Sequence, residues 1–315
     1  MWSIDLSYRK DLASTFSRLE EKVDVLRSAR PLPSAAISKN KEALQIEWTY
    51  NSNSIEGNTI SLRETQMVLQ EGVTIKGKSL REHFEAKNHE TAIHHLYTLV
   101  KDGYKLTSHD VLALHGFVLR SIEDEHAGRI RNAGVRISGA NFTPPNARKA
   151  SELFDELIAF VNSNPLRLNN IELATVFHHK FVWIHPFFDG NGRTVRLAMN
   201  LMFMSEGYPP AIILKNDRKK YYEALNQANK GNYQKLMLLM CQASERTLNI
   251  YLSALPDTDE DYQPITNIVS DPSIPYGQEY VSLLARQGKI DAHKEGRNWV
   301  TTKKAVEAYM KNHLK

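Results

Sequence analysis

The segment Ile184-His185-Pro186-Phe187-Phe188-Asp189-Gly190-Asn191-Gly192-Arg193-Thr194-Val195-Arg196 concentrates residues that handle phosphate. Pro186 disfavours helix at the residue before it, so a helix arriving from upstream should stop at His185. Gly190 and Gly192 permit positive φ, which lets successive N–H groups converge on an anion. A helix starting near Arg193 would aim its free N–H groups and positive dipole end at the same point. Arg193 and Arg196 lie three apart, so both reach from the first turn toward one anion. Asp189 beside this cradle would only repel phosphate unless a cation lay between them, which points to magnesium bridging phosphate oxygens. His185 is then placed to act as general base on an attacking hydroxyl. A buried core histidine beside an ordinary turn would account for any one of these residues but not for the set.

The elements that must hold this segment are mostly helical. Apolar residues recur at helical spacing through 7–28, 41–53, 61–71, 80–101, 108–121, 148–162, 170–184, 193–206, 217–229 and 232–253. Ser61 with Glu64 has the form of a capping box, and Ser108 and Asp217 precede further helical runs. The exception is 129–145, where Val135 and Ile137 alternate with Arg136 and Ser138 between Gly134 and Gly139, the pattern of a short hairpin. His178 and His179 lack an acidic partner at ligand spacing and read as one core and one surface residue rather than zinc ligands.

The chain has 315 residues and 40 Lys and Arg against 36 Asp and Glu, a net charge of +4. By placement this divides into +5 over 1–256, −4 over 257–270 and +3 over 271–315. The Pro-bounded acidic stretch LPDTDEDYQP reads as a linker. Cys241 is the single cysteine, which excludes an internal disulfide framework and a cysteine-based zinc site. No stretch approaches the ~18 uninterrupted apolar residues of a membrane span. The first residues are charged too early for a signal-peptide core. A cytoplasmic globular protein with no membrane contact is expected.

The segment from His185 to Arg196 matches every fixed position of His-Pro-Phe-x-Asp/Glu-Gly-Asn-Gly-Arg-x-x-Arg and resembles the core motif of the Fic family of nucleotidyl transferases. The resemblance implies a mainly α fold: a Fic-type helical bundle with a short β-hairpin flap. It also implies transfer of AMP from ATP to a Ser, Thr or Tyr hydroxyl, with Mg²⁺ (or Mn²⁺) as cofactor. In that scheme His185 is the base and Asp189 holds the metal. Gly190, Asn191 and Gly192 hold the α-phosphate side, and Arg193 and Arg196 hold the β- and γ-phosphates. Doc-type relatives, which phosphorylate, carry Lys in place of Gly192. Val135, Arg136 and Ile137 correspond to the target-docking flap, and Tyr221, Tyr222 and Asn229 to the adenine pocket. Adjacent helical tyrosines point about 100° apart, so one of the pair packs on the base.

Upstream, Ser52-Asn53-Ser54-Ile55-Glu56-Gly57-Asn58 resembles the family's inhibitory motif Ser/Thr-x-x-x-Glu-Gly/Asn. Ser52 and Glu56 fall on one helix face and Gly57 is a natural helix stop. The resemblance implies that Glu56 pairs with Arg196 and denies it to the γ-phosphate, acting in cis. Residues 272–315 resemble a small winged-helix module, with strands expected at 290–292 and 299–301, and Lys289, Lys294 and Arg297 able to meet a phosphate backbone. The expected organisation is an N-terminal helical region (1–100) with the inhibitory helix at about 41–57. A catalytic core (101–255), an acidic linker (256–271) and the winged module (272–315) follow. Expected partners are ATP, a target protein, a second copy of the chain and, through the module, DNA. The alternative readings are removal of AMP, transfer of another phosphate-containing group, or a nucleotide-sensing DNA-binding regulator.

Overall fold

The computed structural model describes residues 4–30, 34–137, 142–255 and 261–313. Among these, ten helices precede a small mixed unit: α1 (Tyr8–Ser28), α2 (Ser34–Ile55), α3 (Leu62–Gln66), α4 (Leu80–Leu99), α5 (Ser108–Leu119), α6 (Ala147–Ser163), α7 (Asn170–Ile184), α8 (Asn191–Ser205), α9 (Arg218–Asn229) and α10 (Gln234–Leu252). A π-turn over Met67–Glu71 extends α3, and a 3₁₀ turn over Lys215–Asp217 leads into α9. The remainder is β1 (Gln263–Pro264), α11 (Ile265–Ile268), α12 (Gln278–Arg286), β2 (Ala292–Glu295), β3 (Asn298–Thr301) and α13 (Lys303–His313).

Local chemistry sets these boundaries. Ser61 and Glu64 form the expected capping box on α3, and Ser79 with Glu82 and Asn169 with Glu172 do the same on α4 and α7. The cap of α5 is Thr107, whose hydroxyl accepts from the Asp110 N–H, one residue before the expected Ser108. Asp217 makes no capping bond, because its carboxylate is paired with Lys220 and Lys294.

One continuous hydrophobic core runs from Tyr8 to Leu255, so the expected N-terminal region and catalytic core fold around the same interior. Its centre is a cluster of Phe154, Phe177, Phe181 and Phe187, with Phe181 5.9 Å from Phe187 between ring centroids. Each such ring contributes about 1.5–3 kcal/mol by burial. Helices α2, α4, α5 and α7 all pack on α8, the helix that carries Arg193 and Arg196.

A second, smaller core holds Ile265, Ile268, Val281, Leu284, Ile290 and Val306. Its sheet has the antiparallel order β1-β3-β2, with Ala292 opposite Thr301 and Glu295 opposite Asn298. The first wing strand lies two residues later than expected because the tight turn falls at Gly296 (φ +61°) and Arg297. The expected acidic linker also ends early. Gln263 and Pro264 pair with β3, and Ile265 and Ile268 enter the small core.

The smaller unit is docked on α1 and α10 by buried polar contacts. Lys22 Nζ reaches Asp291 (2.6 Å), Glu245 (3.1 Å) and Asn249 (2.6 Å), and Arg18 pairs with Glu245 (2.6 Å). The carbonyl of Gly288 accepts from both Thr15 and Arg18 at 3.0 Å. Lys294 is spent on Asp217, which removes it from the expected phosphate-backbone contacts, while Lys289 and Arg297 stay exposed.

No strand pairing occurs among the described residues of the expected hairpin at 129–145, whose tip (138–141) lies outside them. Val135 and Ile137 are half-buried and Arg136 is exposed. A side chain closes this loop instead of a ladder: the buried Arg131 guanidinium donates to the carbonyls of Ala133 (2.8 Å) and Pro145 (2.5 Å), one on each arm. No helix among the described residues is long and apolar enough to cross a membrane.

Asp291→Ala strips one of two carboxylates from the buried Lys22. Breaking such a pair costs about 3 kcal/mol, read as a lower denaturation midpoint. Asp291→Asn, which still accepts from Lys22, should lose less.

Candidate active site

α7 ends where Pro186 requires. His185 adopts a left-handed conformation (φ +52°) and its N–H caps the helix by donating to Phe181 O at 2.9 Å. Its Nδ1 lies 3.4 Å from Val182 O. A carbonyl only accepts, so Nδ1 carries the proton and the Nε2 lone pair is left for a substrate. Burial pushes the imidazole down to about 4, and the nearby Arg131 charge adds to the effect. The ring is therefore neutral, and competent as a base, throughout the physiological range.

Four groups that never need to touch substrate hold the loop from 185 to 190. Phe187 is fully buried and stacked on His115 at 3.7 Å. His115 contacts Asp189 O through Nε2 (3.1 Å) and accepts from Gly128 N–H through Nδ1 (3.0 Å). Arg131 donates to His185 O (2.8 Å) and its own N–H to Pro186 O (2.9 Å). Asn191 closes the loop on itself, accepting from Phe187 N–H (3.0 Å) and donating to Phe187 O (2.9 Å). That corrects one expectation: the Asn191 side chain is committed to the loop, leaving only backbone for an α-phosphate.

A second correction concerns the nest. Only Gly190 takes positive φ (+72°), and α8 starts at Asn191 rather than near Arg193, so Gly192 is already helical. The N–H groups of residues 191–193 precede the first intrahelical bond, Thr194 N–H to Gly190 O, and are left for an anion. A Cβ at Gly192 would lie 2.1 Å from Glu56 Oε1, so the tip of that side chain would have to shift.

Arg193 and Arg196 are each 3% exposed, and both are already neutralised. Arg196 Nη1 meets Glu56 Oε1 at 2.8 Å, its Nε donates to Ser52 Oγ (3.0 Å) and its Nη2 to Ser52 O (2.8 Å). The two residues of the upstream motif thus grip one guanidinium. Glu56 itself stands one residue beyond the end of α2, with Gly57 at φ +107° turning the chain away. Arg193 is held by Glu85 (3.1 Å) and Asp189 (3.3 Å), and Asn58, two residues after Glu56, donates to the other oxygen of Glu85 (2.9 Å).

Asp189 accepts from Gly190 N–H and from Arg81 Nη2, both at 2.6 Å. Burial works to raise its pKa, but Arg193, the Gly190 amide and Arg81 outweigh it and hold the carboxylate below its usual value. Its side chain is 39% exposed and offers a hard oxygen ligand, which fits magnesium. Among the described residues no three His, Cys, Asp or Glu side chains are grouped to hold an ion alone.

The downstream residues separate. Tyr221 is core (1% exposed), its hydroxyl 2.7 Å from His178, while Tyr222 is 36% exposed beneath Arg218. Asn229 is paired with His179 Nε2 at 2.9 Å, and His179 also meets the Tyr233 hydroxyl. Both histidines are buried, so His179 is not the surface residue its neighbour's pattern suggested. Arg81, Glu85, Asn58, His115 and Arg131 escaped the sequence reading. Only Asn58 left a trace there, as the residue that follows Glu56-Gly57.

Residues 105–203 match the model of the Fic/DOC family. The solved structure of Fic-1 from C. elegans, residues 134–508, is 33% identical, covers 78% of this chain and 72% of its own, and superposes with a TM-score of 0.68. The chain belongs to the Fic/DOC family. The protein adenylyltransferase Fic of Aedes aegypti is 35% identical over 283 residues, 89% of this chain and 55% of that protein. The chain thus spans about half the length of the curated relatives it matches. A Fic family protein from Desulfovibrio desulfuricans G20 is 18% identical with a TM-score of 0.64 over 96% of this chain, a likeness of fold.

Removing the carboxylate opposite a buried guanidinium has a stability signature. Glu56→Gly should lower the unfolding free energy of the nucleotide-free protein by about 2 kcal/mol, less than a fully buried pair because Ser52 remains. ATP should restore more stability to this variant than to the wild type in thermal unfolding.

Proposed function

We propose that the chain transfers AMP from ATP to a protein hydroxyl, on itself or on a target, and that Glu56 keeps this activity low. The observation that carries the reading is the juxtaposition of His185, the Gly190–Gly192 helix start and Arg196, with Arg196 held by Glu56 at 2.8 Å. His185 Nε2 takes the proton of the attacking hydroxyl as its oxygen bonds to the α-phosphorus. The bond from that phosphorus to the bridging oxygen breaks in line, and pyrophosphate leaves. The N–H groups of 191–193 receive the α-phosphate side, and Arg193 receives the β-phosphate. Asp189 would hold magnesium, which supplies positive charge to the phosphate oxygens and the leaving group. Tyr222 and Arg218 supply a flat face for adenine, and Val135, Arg136 and Ile137 present the flap to a target segment.

Glu56 inhibits by occupancy. With Arg196 engaged, the γ-phosphate lacks its anchor and the triphosphate settles with its α-phosphorus off the line of attack. A misplacement of about 1 Å costs about a hundredfold in rate. We further assign residues 1–255 to the catalytic unit and 261–313 to a separate winged module.

The test incubates wild type, Glu56→Gly and His185→Ala with Mg²⁺ and α- or γ-labelled ATP. Label is expected from α and not from γ, raised about a hundredfold in Glu56→Gly and reduced by about 10²–10⁴ in His185→Ala. Label from γ alone would mean phosphorylation and sink the proposal. In Glu56→Gly, kcat/KM should hold as pH falls past 6.5 and drop only near the depressed His185 value of about 4. An acid limb at 6.5 or above would contradict the assigned base.

A further inference from the structure

Glu47, Asn51 and Ile55 lie four apart along α2, on one face of the helix that delivers Ser52 and Glu56 to Arg196. Glu47 and Asn51 are gripped by elements that also touch the wing, and Ile55 by the residue that follows one of them. Glu47 takes two bonds from Arg246 Nη2 on α10 (2.8 and 3.0 Å), and the same guanidinium donates through Nε to the Lys294 carbonyl on β2 (2.9 Å). Asn51 Oδ1 accepts from Lys215 N–H (2.7 Å), and Ile55 O accepts from Arg218 Nε (2.7 Å). Between Lys215 and Arg218 stands Asp217, whose carboxylate is paired with Lys294 Nζ at 2.5 Å. Lys294 is itself held over the Trp299 ring of β3. These charges are largely buried, so water and salt screen them less than surface pairs.

The position of this grip matters because of where Glu56 sits. A helix leaves its last carbonyls without intrahelical partners, and those ends fray unless something takes them. Ile55 O is such a carbonyl, one residue before Glu56, and Arg218 satisfies it with a cation at the favourable end of the helix dipole. Glu56 is thus aimed by the last turn of α2, the last turn by the Lys215–Arg218 segment, and that segment by the wing.

We infer that the winged module is the control element of the Glu56 brake: Lys294, directly through Asp217 and by its carbonyl through Arg246, buttresses the end of α2, and displacing the wing loosens Glu56 from Arg196. The inference rests on the reading of Glu56 as a brake. It gives the module a function that requires no DNA contact. Lys294 and Arg246 are positioning residues, remote from the reacting atoms.

The experiment uses the full chain with Lys294→Ala and Arg246→Gln, each in the wild-type and Glu56→Gly backgrounds. Thermal unfolding confirms folding, and Glu47→Gln carries the test if Arg246→Gln fails to fold. Two quantities are read: labelling from α-labelled ATP, and hydrogen exchange of the amides of residues 52–57. Each variant should raise labelling about fivefold or more in the wild-type background and leave Glu56→Gly unchanged, with faster exchange at 52–57. Folded variants with wild-type labelling and exchange would overturn the inference. So would a rise of equal size in the Glu56→Gly background, which would place the effect outside the brake. Failure of the brake reading itself is separate: Glu56→Gly alone would then leave labelling at the wild-type level, while exchange at 52–57 still reports whether the wing holds α2.

Discussion

A guanidinium cannot be withdrawn from water without an anion to face, and Arg196 is withdrawn almost completely. Much of the architecture follows from that constraint. A site that receives a triphosphate, as proposed above, would bury its arginines to exclude water and would also have to fold before the triphosphate arrives. Glu56 resolves the conflict on Arg196 and Glu85 on Arg193. Each carboxylate faces a guanidinium that the proposed function assigns to a phosphate, so on that reading inhibition and stability arise from the same contacts. Asn58 ties the two together, because it holds Glu85 from the turn that also ends α2.

The second constraint is rigidity. His185 acts from a left-handed residue at the end of α7, a conformation that must be enforced rather than preferred. The enforcement comes from inside: Phe187 locks into the aromatic core, His115 and Arg131 hold carbonyls of the loop, and Asn191 closes it. Fixed in this way, the imidazole requires no reorganisation when a hydroxyl approaches, the condition under which a positioned base is most effective. The depressed pKa of His185 is a by-product of the same packing, since burial is its chief cause.

What was legible in the sequence was whatever is local. The run from His185 to Arg196 carries its own stop, turn and helix start, so its chemistry could be read without knowing the fold. Ser52 and Glu56 lie four residues apart and both reach Arg196, a local juxtaposition, although Glu56 stands one residue past the end of α2 rather than on its face. The contacts that set charge were illegible: Arg81 with Asp189 and Glu85 with Arg193 join positions about 108 residues apart, and nothing in their neighbourhoods marks them. The Asn191 side chain was misjudged for a related reason: spacing suggested a phosphate contact, whereas packing assigns it to closing the loop. The hairpin at 129–145 was inferred from alternation, yet the cross-link between its arms comes from Arg131, a side chain that strand patterns do not register.

Around the phosphate site Arg81, Arg193 and Arg196 face Asp189, Glu56, Glu85 and Glu123, three positive groups against four negative ones. Each of these guanidiniums is thus engaged by a carboxylate, and on the reading proposed above only withdrawal of Glu56 frees Arg196 for the nucleotide. Of the four carboxylates, Asp189 is tied to Gly190 N–H and Arg81, Glu85 is held by Asn58, and Glu123 lies on Arg81. Glu56 is the one placed at a helix end, in the turn that closes α2 with its N–H donating to Asn53 O at 3.0 Å, and its side chain is partly exposed rather than packed in the core. The charge balance therefore selects the residue that can serve as the switch, and the helix end selects the direction from which it can be thrown.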